Sequence, residues 1–82
     1  MHGELIAAIG EWNPALDGQI ARDTPLITSA RLDSLGLFQL LLWIERKVGR
    51  TIDATAIDMA TEWDTVDTII AFVERTRGGT PP

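Results

Sequence analysis

The stretch with the most chemical potential is Leu32-Asp33-Ser34-Leu35-Gly36, where a primary hydroxyl adjoins a carboxylate at the point where a turn-rich segment gives way to a strongly periodic apolar one. A serine at a helix start lies beside backbone N–H groups that have no intrahelical acceptor, and beside the positive end of the helix dipole. An anion attached there is favoured. Asp and Ser are also preferred N-cap residues, so capping alone is the competing account of Asp33 and Ser34. Nucleophilic catalysis fits poorly: the hydroxyl needs a base, and the only histidine, His2, is expected to be mobile and without a catalytic role. With no cysteine there is neither a disulfide nor a thiolate metal site, and Asp58 with Glu62 reads as a helix face rather than a metal pair.

The elements that must position Ser34 follow from the apolar spacing. Leu5, Ile9 and Trp12 stand at helical intervals in a first helix over residues 4–12, which Asn13-Pro14 interrupts. From Asp17 to Asp33 no period is sustained, and Gly18, Thr24, Pro25, Thr28 and Ser29 supply turn chemistry. That is one long loop, which Ile20, Leu26, Ile27 and Leu32 can pin to the core. Leu35 to Val48 is a helix closed by Gly49, and nine of its fourteen residues are apolar, more than one buried stripe requires. Leu37, Leu40, Leu41, Ile44 and Val48 form the expected buried face. Leu35, Phe38 and Leu42 form a neighbouring flank, and Trp43 falls off the main face, which makes it partly exposed.

Beyond Gly49 the pattern predicts an extended Thr51-Ile52-Asp53, a brief helix within 55–62 and a last helix over 66–76 with Val66, Ile69, Ile70 and Val73 inward. Asp64 or Thr65 caps that last helix. Trp12 and Trp63 are read as packing residues. The expected fold is all-α: a small four-helix bundle of three main helices and one short one, in a domain of residues 1–76 followed by a flexible tail at 77–82.

Size and charge bound what such a domain does. At 82 residues a fold buries roughly 60–65% of its unfolded surface, which leaves no room for a deep substrate cavity. Seven basic against twelve acidic side chains give a net charge of −5, which argues against binding a phosphate backbone and favours basic partners. Six acids and no Lys or Arg between Thr51 and Glu74 are one candidate steering surface; a plain solvated face is the other reading. No apolar run reaches membrane-spanning length and no signal-peptide pattern opens the chain, so a soluble, cytoplasmic monomer without nucleic-acid binding or membrane insertion is expected.

The Asp33-Ser34-Leu35 motif resembles the attachment site of acyl and peptidyl carrier proteins, in which an Asp-Ser-Leu stands at the start of helix two. The context strengthens the likeness: an acidic chain, a long first loop, Glu45 eleven residues after the serine, Ile52 beyond the helix, and a correctly spaced final helix. The resemblance covers residues from about 4 to 76. It implies that Ser34 carries 4′-phosphopantetheine through a phosphoester, that Asp33 helps a phosphopantetheinyl transferase and its magnesium engage the site, and that the arm's thiol holds an acyl or aminoacyl thioester. It further implies that Leu35, Phe38, Gln39, Leu42 and Glu45 meet partner enzymes: the transferase, a loading ligase or adenylation enzyme, and a downstream synthase or transferase.

Ser29-Ala30-Arg31-Leu32 replaces the glycine-containing lead-in usual in the family. Gly36, Gln39-Leu40-Leu41-Leu42 and Trp63-Asp64-Thr65 look more like discrete carriers of amino acids or unusual acyl units, including D-alanyl carriers and free-standing carriers of antibiotic pathways. The expected function is a stand-alone, non-catalytic carrier in specialised, polyketide- or nonribosomal-peptide-like biosynthesis. The alternative is an unmodified helical protein–protein interaction module.

Overall fold

The computed structural model describes residues 2–78. They form four α-helices, α1 (His2–Trp12), α2 (Ser34–Val48), α3 (Met59–Glu62) and α4 (Val66–Gly78), with 3₁₀ turns at Pro14–Leu16 and Ala54–Ala56 and no strand among the described residues. The all-α bundle of three main helices and one short one is therefore as expected.

In α1, Leu5 and Ile9 lie one turn apart and are fully buried, with Ile6 and Trp12 half-buried beside them. The helix begins at His2, so that residue is not mobile as expected; its Nε2 lies 3.0 Å from Asp67 Oδ1 on α4. Beyond Trp12, Pro14 opens the first 3₁₀ turn, where its missing N–H costs nothing, and the Asn13 side chain accepts from Ala15 N at 3.2 Å. Gly10 allows the chain to double back tightly, since a Cβ there would come within 2.9 Å of Asp17 Oδ1 and 3.3 Å of Asp17 Cα.

The long connection to α2 is ordered by burial and by bonds to the far end of the chain. Leu26 and Leu32 enter the core with Ile20, and Ile27 is half-buried, as their apolar character requires. Leu26 N donates to Asp64 O at 2.6 Å, and Arg22 O accepts from Asp67 N at 3.0 Å.

The buried face of α2 is rotated from the expected one. Gly36, Leu40, Trp43 and Ile44 point inward, while Leu37, Leu41 and Val48 are only half-buried. Trp43 is 3% exposed, with Lys47 Nζ 5.4 Å from its ring centroid, so it is buried where partial exposure was expected. The cause is tertiary. α2 packs between α1 and α4, and a side chain as large as tryptophan gives up most water contact by turning into that seam.

The brief helix expected within 55–62 divides in two. Asp53 accepts from Thr55 N at 3.1 Å and Thr55 Oγ1 at 2.6 Å, closing the 3₁₀ turn locally, and extended geometry at Ile57 and Asp58 separates it from α3. The last helix is capped by Thr65, not Asp64: Thr68 N donates to Thr65 Oγ1 and Thr65 N to Thr68 Oγ1, both at 3.1 Å. Its expected inward set, Val66, Ile69, Ile70 and Val73, is buried, joined by Phe72. Trp63 is fully buried edge-on to Phe72, their centroids 5.5 Å apart. The helix runs to Gly78, two residues past the expected end; residues 79–82 of the expected tail lie outside the described residues.

Candidate functional site

Ser34 is the first residue of α2, and its side chain is exposed. Asp33 precedes it in extended geometry and caps the helix, its carboxylate accepting from Gly36 N at 2.8 Å while its carbonyl accepts from Leu37 N at 2.9 Å. The capping task therefore falls to Asp33, which leaves the Ser34 hydroxyl for other chemistry. Ahead of that first intrahelical bond, the N–H groups of Ser34 and Leu35 are the open donors of the helix dipole's positive end.

Gly36 holds the junction tight. A Cβ at this position would meet Leu32 Cδ2 at 3.0 Å and Asp33 Oδ1 at 3.4 Å, so the missing side chain lets buried Leu32 sit under the first turn. Leu32 N in turn donates to Leu26 O at 3.1 Å, and the turn between them passes through Ala30 at φ 59°, a left-handed conformation unusual for alanine. The loop that delivers Asp33-Ser34 is thus fastened at both ends.

The deeper fastening comes from Asp64, one of the two residues expected to cap the last helix. Its Oδ1 accepts from Ile27 N at 2.9 Å and Thr28 N at 2.8 Å, and Thr28 Oγ1 lies 3.0 Å from Oδ2. The Thr28 N–H foremost, aided by the Thr28 hydroxyl and the N–H groups of Ile27 and Leu26, holds this carboxyl below its ordinary value, and desolvation, the next largest influence, opposes them. A carboxylate between Trp63 and Thr65 was visible in the sequence, but nothing local pointed to its donors at Ile27 and Thr28, 37 and 36 residues away.

The expected partner flank is exposed. Leu35 is 64%, Phe38 57% and Leu42 41% accessible, and they are the large apolar side chains left facing solvent among the described residues. Ser34, Phe38 and Leu42 succeed one another at intervals of four, so the hydroxyl heads a row that runs along the exposed side of α2. Gln39 is half-buried and lines, with Trp12, Asn13, Leu32, Asp33, Leu35 and Gly36, a cleft of about 160 Å³ between α1 and the start of α2. Glu45 is half-buried too, and its Oε2 accepts from Ile52 N at 2.9 Å, fixing the chain where it leaves α2.

The family model for the phosphopantetheine attachment site matches residues 4–73, which run from α1 into α4. The chain belongs to that family. Comparison with the curated proteins and with the solved structures gives no match. Carriers of this family hold 4′-phosphopantetheine covalently and leave catalysis to the enzymes they visit, so this carrier is not itself an enzyme. When bound, the group supplies a thiol on a long flexible arm.

The residues present fit such a group. An exposed hydroxyl at the first helical position, open N–H donors beside it and a cap that does not consume the hydroxyl together suit a phosphoester at this junction. Among the described residues no three His, Cys, Asp or Glu side chains gather as a metal site, and no helix is long and apolar enough to cross a membrane.

Proposed function

We propose that Ser34 is the attachment residue, and that residues 1–76 act as a carrier domain that presents an acyl or aminoacyl thioester to separate enzymes. The observation that carries this reading is the division of labour at the α2 start: Asp33 caps the helix and Ser34 is left exposed at its first position. Asp33 has a second role in this reading, giving a phosphopantetheinyl transferase and its magnesium a carboxylate next to the acceptor hydroxyl. Leu35, Phe38, Gln39, Leu42 and Glu45 form the face that partner enzymes meet. Weak contact suffices there, because the tether sets the effective concentration of the cargo.

The pathway we infer is specialised biosynthesis of the polyketide or nonribosomal-peptide kind, served by a loading ligase or adenylation enzyme and a downstream synthase or transferase. The apolar, acid-poor exposed face of α2 supports that reading, as does the residue pattern Gly36, Gln39-Leu40-Leu41-Leu42 and Trp63-Asp64-Thr65. A cytoplasmic location belongs to the same proposal.

The test is incubation with coenzyme A and a broad-specificity phosphopantetheinyl transferase, read by intact mass. Wild type gains one phosphopantetheinyl unit and Ser34→Ala gains none; equal gain in the two proteins overturns the assignment. Loading the arm-bearing protein from a panel of acids then identifies the cargo class.

A further inference from the structure

The row that begins at Ser34 and continues through Phe38 and Leu42 reaches Arg46 and, just beyond the Gly49 cap, Arg50, each four residues after the last. At about 1.5 Å per residue the helical part spans roughly 18 Å, so apolar side chains and cations share one continuous strip. Leu42, Glu45, Arg46, Arg50 and Thr51 line a shallow hollow of about 350 Å³ at its far end.

The two arginines differ from the other described basic side chains in what they touch. Lys47 pairs with Glu4; Arg22 pairs with Asp67 at 2.9 Å and Arg75 with Glu62 at 3.1 Å. Arg31 Nη1 reaches only the Pro25 carbonyl at 3.4 Å. Arg46 and Arg50 are exposed and form no ion pair among the described residues, and the one carboxylate in their hollow, Glu45, is engaged with Ile52 N.

Apart from Asp33 and Glu45, the acids lie on other segments of the chain and are mostly engaged. Between 53 and 74, Glu62 and Asp67 are ion-paired, and Asp53, Asp58 and Asp64 accept local or loop hydrogen bonds. In the hollow at the far end of the strip, Arg46 and Arg50 set two positive charges against the single carboxylate of Glu45, so that end is net positive beside an apolar run, although the chain as a whole is acidic.

We infer that the α2 face docks partner enzymes through an apolar pocket rimmed by carboxylates, with Phe38 and Leu42 entering the pocket and Arg46 and Arg50 meeting the acids. This rests on the reading of α2 as the partner face and specifies the partner's chemistry. Helix-dipole compensation at the end of α2 explains some basic character there, but the ion-paired Lys47 already supplies it, and the dipole does not account for the adjoining exposed leucine and phenylalanine.

The experiment titrates the isotopically labelled full chain, at physiological salt, with two designed amphipathic helical peptides that share a leucine face and carry either glutamates or lysines on the flanks. The glutamate peptide should bind at least about tenfold more tightly, with amide shifts concentrated at Phe38, Leu42, Arg46 and Arg50. In Arg46→Glu/Arg50→Glu that preference should vanish, and Arg46→Lys/Arg50→Lys should keep most of it. Equal or tighter binding of the lysine peptide, or shifts centred on α4, overturns the inference. The mass-gain assay on wild type tests the attachment reading separately, so the two fail independently.

Discussion

Asp64 and Thr28, 36 residues apart in the chain, are joined by the Thr28 N–H at 2.8 Å and the Thr28 hydroxyl at 3.0 Å, both donating to one carboxylate. Through this pair the segment before α4 holds the loop that ends at Ser34. Replacing Asp64 with alanine should lower stability by about 2 kcal/mol, the usual scale for hydrogen bonds to a charged group, measured by urea denaturation. The same variant should accept the phosphopantetheinyl group more slowly, because Leu26 to Leu32 lose their anchor.

The same carboxyl makes stability depend on pH. Its value in the folded chain lies below the ordinary 3.8, so near that pH the folded state binds fewer protons than the unfolded one. The stabilisation is complete above the unfolded value and is lost as pH falls through the folded one. Acid titration followed by circular dichroism should show a shallower acid limb in Asp64→Asn than in wild type; identical limbs would show that this carboxyl does not govern acid unfolding.

On the proposed reading, capping and attachment separate at Asp33 and Ser34. Asp33→Ala removes the acceptor for Gly36 N and should cost about 1 kcal/mol. Ser34→Ala should change stability by less than about 0.5 kcal/mol while abolishing the mass gain. A large stability loss in the serine variant would assign the cap to the wrong residue.

Ala30 adopts φ 59°, where a Cβ is strained. Relief of roughly 1 kcal/mol in Ala30→Gly is partly offset by the greater freedom of glycine in the unfolded chain, so a net gain of about 0.5 kcal/mol is expected. Thermal unfolding measures it, and a lower midpoint in the glycine variant would show the left-handed turn to be unstrained.

Phe38 and Leu40 occupy opposite fates on one helix. Leu40→Ala should cost about 2–5 kcal/mol, because Leu40 is fully buried. Phe38→Ala, at a site 57% exposed, should leave stability nearly unchanged and raise the KM of partner enzymes for the loaded carrier. Glu45→Gln, which keeps an acceptor for Ile52 N, should separate the charge of that residue from its structural bond.

The helices themselves were legible in the chain, because apolar spacing in α1, α2 and α4 is a local property and their stops at Pro14 and Gly49 act through their own backbone geometry. The Asp-Ser pair at the start of α2 was legible for the same reason, and with it the kind of group the family carries. Which side of α2 is buried was legible only in part: the exposed flank of Leu35, Phe38 and Leu42 stood out in the spacing, but nine apolar residues overfill one face, and only packing against α1 and α4 turned Trp43 inward and left Leu37 and Leu41 half-buried. The split of residues 55–62 was equally hidden, since a single hydrogen-bonded turn at Asp53 outweighs weak helical propensity. Sequence alone pointed to the kind of group the family carries and to the Asp33-Ser34 junction as the proposed site for it. Tertiary structure decided which distant carboxylate steadies the loop, which large side chain of α2 turns inward, and which described cations find an acid, because each depends on groups brought together across the fold.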